Sequence, residues 1–159
     1  MDSDATVIMI SNAKFVHTNL IAKDWRLLSG FYQNVFGCTP VLPERDLSGP
    51  VLEAGTGVSG ARLQGMHLRL PGLSADGPTL EIFQYAEPAP GSTPAVNRPG
   101  FAHIAFSVVS VVDARAQVLA AGGTPVGEVV NTTISNGATV TWCYVRDPEG
   151  NIVELQAWS

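Results

Sequence analysis

The chain has 159 residues, of which 45% are hydrophobic and only 14% are charged, and its formal net charge is −5 at pH 7. This composition excludes a disordered chain, because so apolar a chain can bury a sizeable core. It also argues against a nucleic-acid-binding protein, since no cluster of Lys and Arg stands out. No apolar run approaches the roughly eighteen residues of a membrane span, and the acidic start at 1–4 differs from a basic secretory signal. We therefore expect a cytoplasmic protein with free thiols at Cys38 and Cys143 and with no membrane or nucleic-acid partner.

The chain contains an internal repeat. The tripeptide Phe-Val-His at 15–17 recurs as Phe-Ala-His at 101–103, and Leu-Glu-Ile at 80–82 recurs as Val-Glu-Leu at 153–155. The two glutamate motifs are fewer residues apart than the two histidine motifs. The first copy must therefore hold extra residues between its histidine and its glutamate, and the Gly- and Pro-rich segment 43–60 is the obvious insertion. The sequence thus predicts a single domain over 1–159, built from two modules at about 14–86 and 100–158 that the Pro-rich linker 86–100 joins.

In the first module the sequence predicts a strand, a helix and three more strands. The first strand covers about 14–20, and the helix begins after an N-cap at Asp24 and ends at Gly37. The later strands are expected near Val41, at 65–70 and at 79–85, with a turn at 76–77. The insertion 43–60 is either a flexible lid or simply a long loop.

The second module repeats this βαβββ order. A strand is expected at 101–108, and a helix capped by Ser110 or Asp113 ends at the glycine pair 122–123. Three strands follow at 125–134, 139–145 and 152–158, separated by turns at 136–137 and 147–150. The sequence therefore predicts the α+β class, with two βαβββ modules in tandem.

Each module carries a histidine near its start and a glutamate near its end. These residues are His17 and Glu81 in the first module, and His103 and Glu154 in the second. If the modules pack by pseudo-twofold symmetry, all four side chains can converge on one cavity. Two neutral imidazoles and two carboxylates would neutralise a divalent ion and leave positions open for substrate. The alternative is a polar cavity that keeps these residues without an ion.

The same stretches resemble the vicinal oxygen chelate superfamily, which includes glyoxalase I, methylmalonyl-CoA epimerase, extradiol dioxygenases, and the fosfomycin and bleomycin resistance proteins. The resemblance covers about 14–158 and rests on the sequences at 15–18, 31–37, 80–82, 100–106 and 147–155. It implies that the paired βαβββ modules form a cupped, mostly antiparallel sheet around a divalent metal, and it gives metal-ligand roles to His17, Glu81, His103 and Glu154. It also implies a homodimer, in which the cup is completed within one chain or across two.

The order His, Glu, His, Glu is similar to the metal-dependent glyoxalase I pattern. The resemblance therefore implies a lyase or isomerase that acts α to a metal-bound carbonyl of a small molecule, with Ni, Co, Zn or Mn as the ion. Glu154 is expected to be the base, and Glu81 a ligand or second proton carrier. Glyoxalase I usually grips glutathione with basic or amide groups at positions occupied here by Ile21, Tyr85 and Pro99, so glutathione itself is less strongly implied.

Three other functions stay open. A binding protein of the bleomycin-resistance kind would sequester a drug or metabolite without turnover. Methylmalonyl-CoA epimerases usually carry an amide where Glu81 stands, and extradiol dioxygenases use a two-histidine, one-carboxylate iron site. For substrate contacts, the sequence offers residues that are equally well explained as surface or packing groups: His67, Arg69, Tyr85, Arg98 and Trp158.

Overall fold

The computed structural model of the protein describes residues 10–159. The acidic start at 1–4, which differs from a secretory signal, lies outside the described residues. The described chain forms two β-sheets of mixed strand direction and three helices, in the predicted α+β class. Among residues 10–159, no helix is both long and apolar enough to cross a membrane.

The first module forms a four-stranded sheet. Its elements are β1 (His17–Ile21), α1 (Trp25–Phe36), β2 (Thr39–Ser48), α2 (Pro50–Thr56), β3 (Arg62–Arg69) and β4 (Thr79–Tyr85). The strand order is β1-β4-β3-β2, with β1 parallel to β4 and the other neighbours antiparallel.

The second module builds its sheet in the same way. Its elements are β5 (His103–Ser107), α3 (Val111–Ala120), β6 (Thr124–Pro125), β7 (Val130–Thr133), β8 (Thr139–Arg146) and β9 (Ile152–Trp158). β5 runs parallel to β9, and β9 runs antiparallel to β8, which β6 and β7 both flank. The single strand that the sequence predicted at 125–134 is instead two short strands, β6 and β7, which both pair with β8.

Local chemistry explains the limits of α1. The Asp24 carboxylate accepts hydrogen bonds from the backbone N–H groups of Arg26 and Leu27, which the first turn of a helix leaves without partners. The helix ends at Gly37, whose φ of 72° is easily reached only without a side chain. The buried face of the helix, which includes Trp25, Leu28 and Tyr32, packs against β3 and β4.

The insertion is not a structureless lid or loop. The edge strand β2 runs through its first part to Ser48, and α2 begins at Pro50. Pro43 is compatible with this strand because β2 pairs on one side only, with β3. Pro50 lies in the first turn of α2, where a missing backbone N–H costs nothing.

Hydrogen bonds and a shared apolar core join the two modules. The Tyr32 hydroxyl of α1 donates a hydrogen bond of 2.9 Å to Asp147, in the turn between β8 and β9. The Glu149 carboxylate, in the same turn, accepts from the backbone N–H groups of Lys23 and Asp24 at 2.7 and 2.8 Å. Burial raises the pKa of Asp147, although Tyr32 and Asn151 donate to its carboxylate. A continuous apolar core contains residues of both modules, including Leu68, Ile82, Val153 and Leu155.

Candidate functional site

His17 and Glu81 lie on the adjacent parallel strands β1 and β4. The register pairs Asn19 with Glu81, which brings His17, two residues earlier on the same face, alongside the glutamate. The Nε2 atom of His17 is 3.6 Å from Glu81 Oε1, and the amide of Asn19 donates a hydrogen bond of 2.8 Å to the same oxygen. The Glu81 side chain is only 12% exposed, so this carboxylate is largely enclosed by its neighbours.

His67 completes this group from the opposite side. β3 pairs His67 directly with Glu81, and its Nε2 atom lies 2.7 Å from Glu81 Oε2. Its Nδ1 atom is 2.8 Å from the hydroxyl of Thr79, so both ring nitrogens have partners. Burial lowers the pKa of His67, and the positive charge of Arg45 lowers it further, while Glu81 opposes both.

His17, His67 and Glu81 together form a metal-type cluster. One ligand atom from each lies within 4.8 Å of the others, and within residues 10–159 no other set of three or more His, Cys, Asp or Glu side chains does so. We call this set the His17–His67–Glu81 group.

His103 and Glu154 form a second pair on the other sheet. β5 and β9 are adjacent and parallel, and the register pairs Ala105, two residues after His103, with Glu154. The Nε2 atom of His103 lies 3.0 Å from Glu154 Oε2. The two pairs therefore occupy equivalent register positions in the two modules, as the repeat predicted. In the single chain the four predicted ligands lie as two pairs, one on each sheet.

The two modules differ at the residue opposite the glutamate. In the second module that position is Tyr144, which β8 pairs with Glu154 as β3 pairs His67 with Glu81. The Tyr144 ring lies 4.9 Å from the His103 ring, measured between centroids. Burial raises the pKa of this phenol, and Glu154 raises it further, so Tyr144 stays protonated at neutral pH. One half therefore carries two histidines and a glutamate, and the other a histidine, a tyrosine and a glutamate.

The remaining predicted contact residues occupy different surroundings. Arg69 is exposed at the end of β3, on the face of His67, and Tyr85 lies half-buried at the end of β4. Trp158 ends β9, and its indole N–H donates to Gln156. The Arg98 guanidinium donates to Ser92 and to the carbonyl of Thr93, which holds it within the linker.

Sequence reasoning missed two residues of the first group. It treated His67 only as a weak substrate contact, although the structure brings this imidazole closest to Glu81. It did not consider Arg45, which lies on β2 opposite Gly65 and acts electrostatically on His67. The signal for His67 was its alternation with apolar residues in 66–70, which put it on one sheet face with Arg69.

Comparison with known proteins identifies the family. A family model described as the glyoxalase/bleomycin resistance protein/dioxygenase superfamily matches residues 14–155. The chain belongs to this superfamily. The membership confirms the resemblance drawn from the sequence motifs, and it agrees with the paired sheets described above. A search of curated proteins finds no match to the chain.

Solved structures of the superfamily share the fold. A glyoxalase family protein from Bacillus cereus aligns over 96% of this chain and 97% of its own, with a TM-score of 0.72 and 18% identity. One from Enterococcus faecalis covers 92% and 99%, with a TM-score of 0.57 and 21% identity. A fosfomycin resistance protein from Listeria monocytogenes, solved with Mn(II) and a dihydroxypropylphosphonic acid, covers 94% and 93%, with a TM-score of 0.52 and 20% identity. At these identities the likeness establishes the fold alone.

Proposed function

We propose that the protein is a divalent-metal-dependent lyase or isomerase that moves a proton on the carbon next to a carbonyl of a small molecule. The observation that supports this most is the His17–His67–Glu81 group, whose ligand atoms lie within 4.8 Å of one another. Imidazole and carboxylate are ligands that divalent transition metals bind. The Mn(II) in the fosfomycin resistance protein of the same fold supports such an ion here.

The donor set fits a divalent ion. His17, Glu81 and His67 project from three neighbouring strands, so the backbone ladder fixes their spacing. Thr79 holds the far nitrogen of the His67 ring, and Asn19 holds one oxygen of Glu81, as outer groups commonly orient metal ligands. When bound, a divalent ion supplies Lewis acidity that makes a C–H next to a carbonyl more acidic.

Glu154 is the better candidate for moving the proton. Its carboxylate contacts His103, whereas the Glu81 carboxylate contacts Asn19, His67 and His17 and is thereby fixed. A general base must come within hydrogen-bond reach of the proton that it abstracts, and a carboxylate with fewer partners reaches it more easily. We assign His17, Glu81 and His103 to holding the ion, and Glu154 to proton transfer as well as to the ligand set. His103 and Glu154 complete the predicted four-ligand set from the second sheet of the same chain or of a second copy in a homodimer.

Metal analysis tests the site. We expect about one divalent ion per chain in the purified wild type, and loss of the ion in Glu81→Gln and in His103→Ala. Arg98→Gln, in the linker, is the matched control and should keep the ion. No metal in the wild type would leave the binding-protein alternative.

Turnover tests the reaction class. The metal-loaded protein is assayed with hemithioacetals of methylglyoxal formed from several thiols, because the usual glutathione-gripping positions carry Ile21, Tyr85 and Pro99. We expect Glu154→Gln to keep its fold and lose turnover. Full turnover by Glu154→Gln would refute the assignment of the base.

A second candidate function follows from the composition of the first group. Two histidines and one carboxylate with open positions are the ligand set of non-haem Fe(II) oxygenases. If the protein is such an enzyme, the Fe(II)-loaded form should consume oxygen in the presence of catechols and yield ring-cleavage products. Oxygen uptake that depends on His67 would favour this function over proton transfer.

A further inference from the structure

We propose that Arg45 forms an oxyanion subsite beside the His17–His67–Glu81 group and binds a carboxylate or phosphonate at the end of the substrate remote from its carbonyl. This inference rests on the proposed function and deepens it, because it names the substrate class as anionic. At the equivalent register position the second module carries Val130, which β7 and β8 pair with Trp142, so only the first module has a charged residue there.

The backbone register places Arg45 on the face of the candidate metal ligands. β2 pairs Arg45 with Gly65, which β3 and β4 pair in turn with Phe83. The Phe83 ring lies on the same face as His67, at 6.1 Å between ring centroids. A Cβ atom at position 65 would lie 2.0 Å from the carbonyl oxygen of Ile82 and 2.6 Å from the Phe83 ring. The strand therefore requires glycine there, and no side chain at 65 separates Arg45 from the His17–His67–Glu81 group.

Arg45 differs from its charged neighbours in having no acidic partner. Glu44 accepts two hydrogen bonds from Arg26 of α1, at 3.1 and 3.0 Å, and Asp46 contacts Gln64 and Arg62. The Arg45 guanidinium donates to the backbone carbonyl of Pro43, and no carboxylate of the described residues lies within 4.0 Å of it. The guanidinium of Arg45 is half-buried, has unused N–H donors and has no acidic partner, so it is suited to bind an anionic ligand.

The charge of the loaded group also calls for an anion. In the proposed four-ligand set Glu81 and Glu154 supply two negative charges, whereas a divalent ion and Arg45 together bring three positive charges, with the imidazoles neutral. A neutral substrate would leave this excess unbalanced, while a substrate with a terminal oxyanion would balance part of it. Guanidinium binds carboxylate and phosphonate oxygens in a two-pronged arrangement, so it orients the ligand as well as attracting it.

Binding of two matched keto acids tests the subsite. The probes are α-ketobutyrate, which has one carboxylate, and α-ketoglutarate, which adds a second at the far end. Dissociation constants are measured by calorimetry on the Mn(II)-loaded protein at physiological salt, where long-range charge effects are screened. We expect the second carboxylate to tighten binding about tenfold in the wild type, as a charge-assisted hydrogen-bond pair does. A γ-phosphonate analogue of α-ketoglutarate distinguishes phosphonate from carboxylate preference.

Three variants identify the residue responsible. Arg45→Gln should abolish the tenfold advantage while keeping the metal content, and Arg45→Lys should retain part of it. The matched control Arg62→Gln removes the same charge from a neighbouring exposed position and should leave the advantage unchanged. If Arg45→Gln does not fold, Arg45→Met is used in its place.

Two results would overturn the subsite: an unchanged advantage in Arg45→Gln, or an equal loss in Arg62→Gln. Failure of the proposed function is distinguished by a second measurement on metal-free protein. The NMR signal of the Arg45 side-chain N–H is followed while methylphosphonate or acetate is added. A saturable shift of the Arg45 signal, with no comparable shift of the Arg62 side-chain N–H, supports the subsite even if the protein holds no metal, and no shift of the Arg45 signal refutes it.

Discussion

Glu81 is the residue on which the candidate site depends. Its carboxylate contacts side chains from two flanking strands, and only 12% of its side chain is exposed. A carboxylate so enclosed needs positive charge or hydrogen-bond donors to offset its lost hydration. Asn19 and the two histidines provide these in the ion-free chain, and a divalent ion would provide them more strongly. The same geometry thus stabilises Glu81 and prepares it as a ligand.

Substitution of Thr79 tests whether its contact with His67 prepares the site for metal binding, because Thr79 is not itself a proposed metal ligand. Its hydroxyl lies 2.8 Å from Nδ1 of His67 and fixes the ring whose other nitrogen faces Glu81. Thr79→Val preserves the shape of the side chain and removes the hydroxyl. We expect the affinity for Zn(II) or Mn(II) to fall by about 10-fold to 100-fold, the usual effect of losing such a partner.

The control for Thr79→Val removes a comparable hydroxyl from the other sheet. The Thr133 hydroxyl lies 3.1 Å from that of Thr139, away from the histidines. Thr133→Val should leave the metal affinity within about twofold. An unchanged affinity in Thr79→Val would show that His67 is oriented by packing alone or does not bind the ion.

Cys38 and Cys143 give a prediction about reactivity. Both thiols are free and buried, and burial raises the pKa of Cys38 to about 11 and also raises that of Cys143. Only the thiolate reacts with iodoacetamide, so we expect the native protein to resist alkylation at pH 8 and to be labelled twice after denaturation in urea. Mass spectrometry gives the count. Rapid labelling of one site in the native protein would contradict the burial of that thiol.

At the scale of elements, the helix α1 and the strands β4 and β9 were predictable because their sequence signals are local. The cap at Asp24, the stop at Gly37 and the apolar stripe between them specify α1, and β4 and β9 begin and end where the sequence predicted. The insertion was wrongly expected to lack regular structure because Pro and Gly usually break elements. In β2 and α2 these residues occupy an edge strand and a first helical turn, where they are tolerated.

The site was less predictable than the elements because it depends on register. The repeat placed one histidine and one glutamate in each module, and the structure brings these together as two pairs, His17 with Glu81 and His103 with Glu154. His67 is opposite Glu81 only because of how β3 pairs with β4, and the connection between those strands, 70–78, is too long for a turn type to fix the register. Arg45 depends in addition on an irregularity in β2 between Val41 and Arg45.

The hydrogen bond from Tyr32 to Asp147 links α1 to the second module and gives a stability prediction. Both side chains are buried, and burial raises the pKa of Tyr32 while the charge of Asp147 raises it further, so the phenol stays a donor. Tyr32→Phe leaves a buried carboxylate without one of its donors and should lower the free energy of unfolding by about 1.5–3 kcal/mol. Urea denaturation followed by circular dichroism measures the change.

Tyr85→Phe is the control for this loss of a hydroxyl. Tyr85 lies half-buried at the end of β4, and its hydroxyl has no hydrogen bond within the described part of the chain. Its substitution should change the unfolding free energy by less than about 0.5 kcal/mol. Equal effects of the two variants would mean that the bond from Tyr32 contributes nothing specific.

At the scale of the whole molecule, the repeat has diverged around a shared plan. The same register positions carry His67 in one half and Tyr144 in the other, and only the first half has Arg45. An imidazole binds a divalent ion readily, whereas a protonated phenol is chiefly a hydrogen-bond donor. The roles proposed above use this asymmetry, since the first module contributes more of the proposed ligands and the second contributes the proposed base, Glu154.

The two modules should nevertheless unfold together. Their apolar residues form one core, and the Glu149 carboxylate binds the backbone N–H groups of Lys23 and Asp24 across the boundary. Neither sheet can separate from the shared core without exposing core residues of the other module. Unfolding of one module should therefore require unfolding of both. We expect the most protected amides of β3–β4 and β8–β9 to exchange with the same free energy in native-state hydrogen exchange.

Two variants test this shared unfolding. Glu149→Gln should lower both exchange free energies equally, while Glu53→Gln, on the exposed α2, should change neither. Different free energies for the two sheets would mean that the modules are separate cooperative units.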